Sequence, residues 1–423
     1  MIWLYWLLGT LCYYYLYILR TLFGTLGEDI TTKFDLSVTD LSTFFAAAMI
    51  SYSLMQIPAG ILLDKFGPRK MLSIAMLCLS SGVLIISLTH SLPLAIFGRI
   101  LMGVGSAFGF IGTSKIVTVW FPLKMMGFLL GATVFLGGLG GAFSRQLYDA
   151  LPHQWDVSQS LLSLGIAGVF LAGTIAFFLR EKTHMSVGSA GAVPVKKTTF
   201  VEDLRVILTN KQILTAALFT FFGYLPISII GDSWGPSAFQ KMFDASKETA
   251  DQTLMYFYVA FALGSLFYSS IVTTLSKIRS VLFVEFSFAL FFIYILLAHP
   301  SIGQDTFFGI PGFLILCSLI GFNLGGVALA FPIGCSHASK EISATVVGVM
   351  NMFCMISGGI FSKVVGHLLH LYWDGTTAQD GTPIFSGAAY QSALKPLIFT
   401  TVLALVLLVF IRAGKEEVSL SKA

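Results

Sequence analysis

The chain has 423 residues, of which 56% are hydrophobic and 11% charged, with a formal net charge of +4. So little polar surface cannot coat a water-soluble globule, and the composition requires lipid as a solvent. The small positive excess gives no reason to expect a nucleic-acid partner and reads as membrane orientation instead.

A hydrocarbon core of about 30 Å takes roughly 20 apolar residues per helix. Suitable windows lie near 3–27, 41–63, 71–90, 92–118, 125–147, 159–180, 212–234, 252–274, 281–299, 308–334, 342–366 and 390–412. They predict an all-α membrane protein with twelve transmembrane helices, because barrel strands would be about half that length and alternating. The first window follows no basic segment and precedes no small-residue cleavage site, so it reads as a retained helix and not a signal peptide. Cys12, Cys78, Cys317, Cys335 and Cys354 fall within or at the ends of apolar stretches without a CxxC pair, as small buried hydrophobes would.

Between predicted helices 2 and 3 lie Lys65, Arg69 and Lys70; Lys124 follows helix 4, Lys277 and Arg279 follow helix 8, and Lys340 follows helix 10. The alternate loops carry Glu28, Asp29, Asp35 and Asp40, then Asp149 and Asp156, then Asp244, Glu248 and Asp251. Positive residues concentrate on the cytoplasmic side, so both termini are expected there. The Gly-, Ser-, Thr- and Lys-rich stretch that includes GSAGAVPVKKTT divides the chain. It predicts an N-terminal six-helix bundle over 1–182, a cytoplasmic linker over 183–211 with a short surface helix from Phe200 to Leu208, and a C-terminal six-helix bundle over 212–423. GGAFSR at 140–145 returns as GGIFSK at 358–363, in the same place within each half, as a duplicated transporter would show.

GILLDKFGPRK at 60–70 ends helix 2 and turns into helix 3. Gly67 can take a positive φ and Pro68 prevents the helix from continuing, while Asp64 sits at a helix C-terminus where the dipole disfavours a carboxylate and so needs a compensating helix N-terminus or cation. Gly60, Leu62, Asp64, Lys65, Gly67, Arg69 and Lys70 match the G-x-L-a-D-r-x-G-r-k signature of the major facilitator superfamily, with Pro68 the main departure. RILMGVGSA at 99–107 resembles that family's R-x-x-x-G-x-G-x-A mark in helix 4, and GATVFLGGLGG at 131–141 resembles its glycine-rich helix 5 mark without the proline.

The resemblance implies two pseudo-symmetric six-helix bundles rocking about a central substrate site. It places Gly60, Asp64, Gly67, Arg69 and Lys70 at the cytoplasmic gate, with Asp64 docking near the start of helix 11, about Ser343 to Thr345. The loop TLSKIRS between helices 8 and 9 has no acidic residue, so a symmetric second latch is not expected. YYYLYILRTLFGTL in helix 1, MQIPAGILLDKFGPRK, SKIVTVWFP after helix 4 and GDSWGP after helix 7 together resemble the phagosomal (Pht-like) nutrient transporter branch of intracellular bacteria. That likeness implies a multi-pass importer of amino acids or nucleosides in the bacterial inner membrane.

Ionisable groups within spans are costly and are functional candidates by default. Arg20 shares a helical face with Tyr13, Tyr17 and Gly24, a stripe suited to a carboxylate-bearing or zwitterionic cargo, since Arg offers a planar donor fork and Tyr adds stacking and hydrogen bonds. Further candidate cargo contacts are Tyr52 and Gln56 on helix 2, Ser106 and Phe110 on helix 4, Tyr224 and Trp234 on helix 7, Tyr256 on helix 8, Asn323 on helix 10 and Asn351 on helix 11. Arg99 shares a face with Gly103, Ser106 and Phe110, and the resemblance to the major facilitator superfamily implies a structural or proton-relay role for it. Lys115, near the cytoplasmic end and Trp120, is expected to snorkel. Asp232, Glu285 and Glu28 or Asp29 are candidate coupling carboxylates, and protons the candidate coupling ion.

No HExxH, Walker loop or clustered metal ligands occur, and the seven histidines and five cysteines are scattered, so neither enzyme chemistry nor a cofactor is expected. No sizeable soluble output domain supports a sensor. The reading is a monomeric secondary transporter of a small polar metabolite by alternating access, an amino acid first and a nucleoside second. An organic-anion exchanger or drug-like efflux porter is the alternative. Symport, exchange and facilitated diffusion all fit the sequence.

Overall fold

Long apolar runs become helices here because lipid offers no partner for the backbone, so each span must bond to itself. The computed structural model describes residues 1–412 apart from 37, 153, 182–199, 273, 308 and 378–382. The part of the expected linker over 183–199 therefore lies outside the described residues. Among the described residues, eleven helices are long and apolar enough to cross a membrane, and Met126–Ala142 is a shorter apolar one. The chain is an all-α, multi-pass membrane protein.

Two compact units are present, Met1–Ile213 with Cys335–Met352, and Leu214–Gly334 with Phe353–Ala423. The first unit begins with α1 (Ile2–Thr25), the short α2 (Gly27–Phe34), α3 (Val38–Phe66), α4 (Pro68–Leu88), α5 (Leu92–Ser106) and α6 (Phe108–Trp120). It continues through α7 (Met126–Ala142), α8 (Ser144–Asp149), α9 (Val157–Phe178) and α10 (Phe200–Thr209). Inside it α4 packs on α5 and α9, α3 on α5, and α1 on α6 and α7. Local chemistry sets the ends. Asp156 and Gln159 form a reciprocal capping box at the start of α9, and the Lys33 ammonium donates to the Ile86 and Ser87 carbonyls at 2.8 and 2.6 Å, where the C-terminus of α4 favours a cation.

The chain enters the second unit within α11 (Lys211–Pro226), which gives way to a π-helical stretch, Ile227–Trp234, and then to α12 (Gly235–Met242). There follow α13 (Lys247–Ile271), α14 (Leu275–Ala298), α15 (Pro300–Gln304) and a two-stranded hairpin, β1 (Thr306–Phe307) with β2 (Ile310–Pro311). Next come α16 (Gly312–Leu324), a 3-10 stretch Gly325–Leu329, and α17 (Ala330–Ser336). The long α18 (Ser343–Leu371) opens in the first unit and ends in the second, which closes with α19 (Gly387–Leu394) and α20 (Pro396–Phe410). Within the second unit α13 packs on α16, and α14 on α16 and α20.

Several expected spans are interrupted. The window 92–118 is split at Ala107, 125–147 at Phe143, 212–234 after Pro226, and 308–334 at Gly325. Pro226 lacks the amide hydrogen of a regular ladder, and Gly325 holds helical geometry weakly, so these two breaks fall where the backbone is least constrained. The two echoed hexapeptides therefore differ locally, with GGAFSR spanning the break at Phe143 and GGIFSK lying inside the unbroken α18.

Candidate functional site

In the first unit, α1 presents Tyr13, Tyr17 and Arg20 along one side, as their 3.6-residue spacing requires. The Tyr13 and Tyr17 rings lie 4.9 Å apart, Tyr13 is 5.5 Å from Phe110 on α6, and the Arg20 guanidinium is 5.8 Å from the centre of the Tyr17 ring. Tyr52 on α3 lies within electrostatic range of Arg20. From the first turns of α18, the Asn351 amide donates to Gln56 Oε1 at 2.7 Å and to the Tyr52 hydroxyl at 3.4 Å. Gln56 is fully buried and Asn351 nearly so, whereas Arg20 and Tyr52 are half-buried. Guanidinium, phenols and amides thus converge from three helices on one locus that combines a cation, hydrogen-bond donors and aromatic faces. Ser106, at the end of α5, is half-buried.

At the end of α3, Asp64 faces the buried backbone amides of the first turn of α18, which lack helical partners. Its carboxylate accepts from the Ala344 amide at 3.1 Å, the Thr345 amide at 2.8 Å and the Thr345 hydroxyl at 2.7 Å. Lys115 Nζ lies 2.6 Å from the same carboxylate and donates to the Lys340 and Glu341 carbonyls at 2.7 and 3.1 Å. Gly60 lets α18 come this close, since a Cβ there would run into the Ala344 carbonyl and Thr345 Cα. The expected snorkelling of Lys115 does not occur: at 6% exposure it is drawn to a carboxylate and two carbonyls, because a buried ammonium needs partners.

The turn after Asp64 is held from another direction. Gly67 has φ +82°, and a Cβ there would strike the Glu181 carboxylate. That carboxylate accepts from the Arg69 amide at 3.0 Å and the Lys70 amide at 3.4 Å, capping the N-terminus of α4, while Arg69 Nε donates to the Ala176 carbonyl at 2.8 Å near the end of α9. Burial lifts the Glu181 carboxyl above the usual glutamate range, although the Arg69 and Lys70 amides and charges pull it down. Neither Glu181 nor Lys115 stood out in the sequence as a partner of this corner. The usable signal for Lys115 was its charge inside an apolar run; for Glu181, 112 residues from Arg69, local sequence carried none.

Arg99 is 6% exposed and enclosed by Phe23, Phe44 and Phe45, with ring centres 4.7, 5.1 and 5.8 Å from the guanidinium, and it donates to the Phe44 carbonyl at 3.3 Å. This is a cation held by π faces, a packing arrangement between α1, α3 and α5.

Most of the remaining candidates lie in the second unit and make separate contacts there. Asp232 is exposed in the π-helical stretch and accepts from the Tyr258 hydroxyl at 2.5 Å. Trp234 Nε1 donates to the Ser362 carbonyl at 3.2 Å and its hydroxyl at 3.1 Å on α18. Tyr224 is half-buried on α11 and is separated from Trp234 by the π-helical stretch Ile227–Trp234, so the two are not related by regular α-helical periodicity. Tyr256 is 45% exposed. Asn323 Oδ1 accepts from Tyr268 at 2.7 Å, and Glu285 is fully buried on α14. Asp29 is exposed on α2, and the Glu28 side chain lies outside the described residues. A small cavity lined by Ile229, Phe239, Met242, Ile293, Leu296 and other apolar residues offers a polar cargo nothing to bind.

Among curated proteins, the chain is 26% identical to the probable sulfoacetate transporter SauU of Cupriavidus necator over 177 residues, 41% of each chain. It is 23% identical to the probable galactarate/D-glucarate transporter GarP of Escherichia coli over 395 residues, 83% of this chain and 84% of that one. Its fold is similar to the crystal structure of the E. coli fucose:proton symporter FucP, with a TM-score of 0.70 at 15% identity, covering 96% of this chain and 99% of FucP. The family model described as Major Facilitator Superfamily matches residues 6–362. With that match spanning most of the chain and the helix count and fold in agreement, the protein belongs to the Major Facilitator Superfamily.

Proposed function

We propose that this secondary transporter carries a small organic anion of the sugar-acid kind across the bacterial inner membrane by alternating access, with both termini cytoplasmic. Arg20 would bind the carboxylate while Tyr13, Tyr17, Tyr52, Gln56 and Asn351 receive the hydroxyl-bearing remainder. The observation that carries the reading is the convergence of one guanidinium with phenols and amides in the first unit. A planar fork matches a carboxylate, and a ring of neutral donors and acceptors matches hydroxyl groups. The names of the relatives, galactarate/D-glucarate and sulfoacetate, favour an organic anion over the amino acid or nucleoside that the Pht-like likeness implied. In this reading the halves 1–182 and 212–423 move about the cargo, and the Asp64, Gly60, Gly67, Arg69 and Lys70 corner, with Lys115, latches the cytoplasmic side.

A thermal-shift screen of the purified protein tests the cargo class. Galactarate, glucarate or sulfoacetate should raise the melting temperature, and Arg20→Ala should weaken that binding by roughly ten- to a hundred-fold, the worth of a charge-assisted contact. Stabilisation by amino acids or nucleosides alone would replace the anion reading, and a response unchanged in Arg20→Ala would remove the arginine from the site.

A further inference from the structure

Glu285 is 0% exposed, and among the described residues neither of its carboxyl oxygens completes a hydrogen bond. It projects from the middle of α14 toward the point where the neighbouring helix loses its regular winding, between α16 and α17. The carboxyl lies against the Gly326 backbone, whose amide approaches it without reaching hydrogen-bond geometry, and a Cβ on Gly326 would collide with Glu285 Oε2. A 3-10 stretch inside a longer helix often marks a hinge. Here it is seated against α13, since a Cβ on Gly325 would meet the backbone of Gly264 and Ser265.

Among the described residues, no basic side chain bonds to the Glu285 carboxyl. From α13 comes Tyr268, within electrostatic range, its hydroxyl donating to Asn323 on α16 at 2.7 Å. From α16 the titratable residue is Cys317, nearly two turns before Asn323. From α11, Phe219 packs on the adjacent Phe286 at 5.0 Å; α15 and α20 carry no titratable residue, and Tyr390 on α19 is turned to Trp234 and Phe385. An ionised carboxylate without a partner in such surroundings would cost several kcal/mol, whereas the neutral acid costs far less.

We propose that Glu285 is a proton-carrying group of this transporter, and that its loading is coupled to the winding of the α16–α17 helix at Gly325–Leu329. With the proton on, the carboxyl rests unbonded against the 3-10 segment. When its O–H bond breaks and the proton passes to water, the anion needs a donor. A slight rewinding supplies the Gly326 amide, and the Tyr268 hydroxyl, within electrostatic range and donated to Asn323, is a second candidate donor. Proton occupancy and helix geometry thereby become linked equilibria. The inference rests on membership of the transporter family and not on the anionic cargo.

Two measurements test it. In proteoliposomes, Glu285→Gln should keep counterflow exchange of galactarate while an inward proton gradient loses its stimulation by about tenfold, an ordinary coupling between linked sites. Gradient-driven uptake at the wild-type level in Glu285→Gln would overturn the proposal. In infrared spectra of the purified full chain near neutral pH, the wild type should show a protonated carboxylic acid carbonyl band that Glu285→Gln lacks. Its absence from the wild type, or its persistence in the variant, would overturn the proposal even if galactarate is not transported, and failure of counterflow in the wild type bears on the cargo alone.

Discussion

Asp64 stands where a helix dipole disfavours it, and the structure resolves the conflict by giving the carboxylate the positive end of another helix and an ammonium. The need for a partner was legible from the residue and its position; the identity of Lys115 was not, because helical projection shows which way a side chain points and not what approaches it. Removing one member of a buried pair strands the other and typically costs about 3–5 kcal/mol. Cys335, 6% exposed with Sγ 3.8 Å from the Ser343 carbonyl, reports on this region. With Cys12, Cys78, Cys317 and Cys354 replaced, Asp64→Asn and Lys115→Met should each speed alkylation of Cys335 by about tenfold or more, as loss of about 1.4 kcal/mol of latch stability would. Rates equal to those of the parent would remove both residues from the latch.

At the scale of elements, the α3–α4 corner shows how a local signal and a distant one combine. Gly67 and Pro68 announced the turn, and the positive φ follows from a residue that tolerates it. The acid that caps α4 comes from beyond the end of α9, where the sequence suggested only the approach to a linker. Glu181 holds its proton to higher pH in the folded protein than in the unfolded chain, so folding binds more protons, and its contribution to stability falls as pH rises from the ordinary glutamate range through the lifted one. Glu181→Gln should flatten that part of the fall in thermal stability over weakly acid pH. A melting profile that keeps the wild-type slope would show that the cap does not titrate there. The interruptions at Ala107 and Phe143 were not legible, because apolar windows report length and hydrophobicity and neither residue is itself a helix breaker, whereas Pro226 and Gly325 carried a local signal.

For the whole molecule, composition alone forced a lipid solvent, and the spacing of apolar windows forced a helical answer; both follow from the cost of unsatisfied backbone in hydrocarbon. The candidate site was partly visible, as Tyr13, Tyr17 and Arg20 share a face through simple periodicity. Its closing members, Tyr52, Gln56 and Asn351, come from distant parts of the chain, so their meeting needed the fold. Uptake of radiolabelled galactarate or glucarate by proteoliposomes containing the wild type, Arg20→Ala or Arg20→Lys tests the central claim most directly. The account predicts saturable uptake by the wild type, its loss in Arg20→Ala, and partial recovery in Arg20→Lys, which keeps the charge without the planar fork. Uptake by Arg20→Ala at the wild-type rate would contradict it.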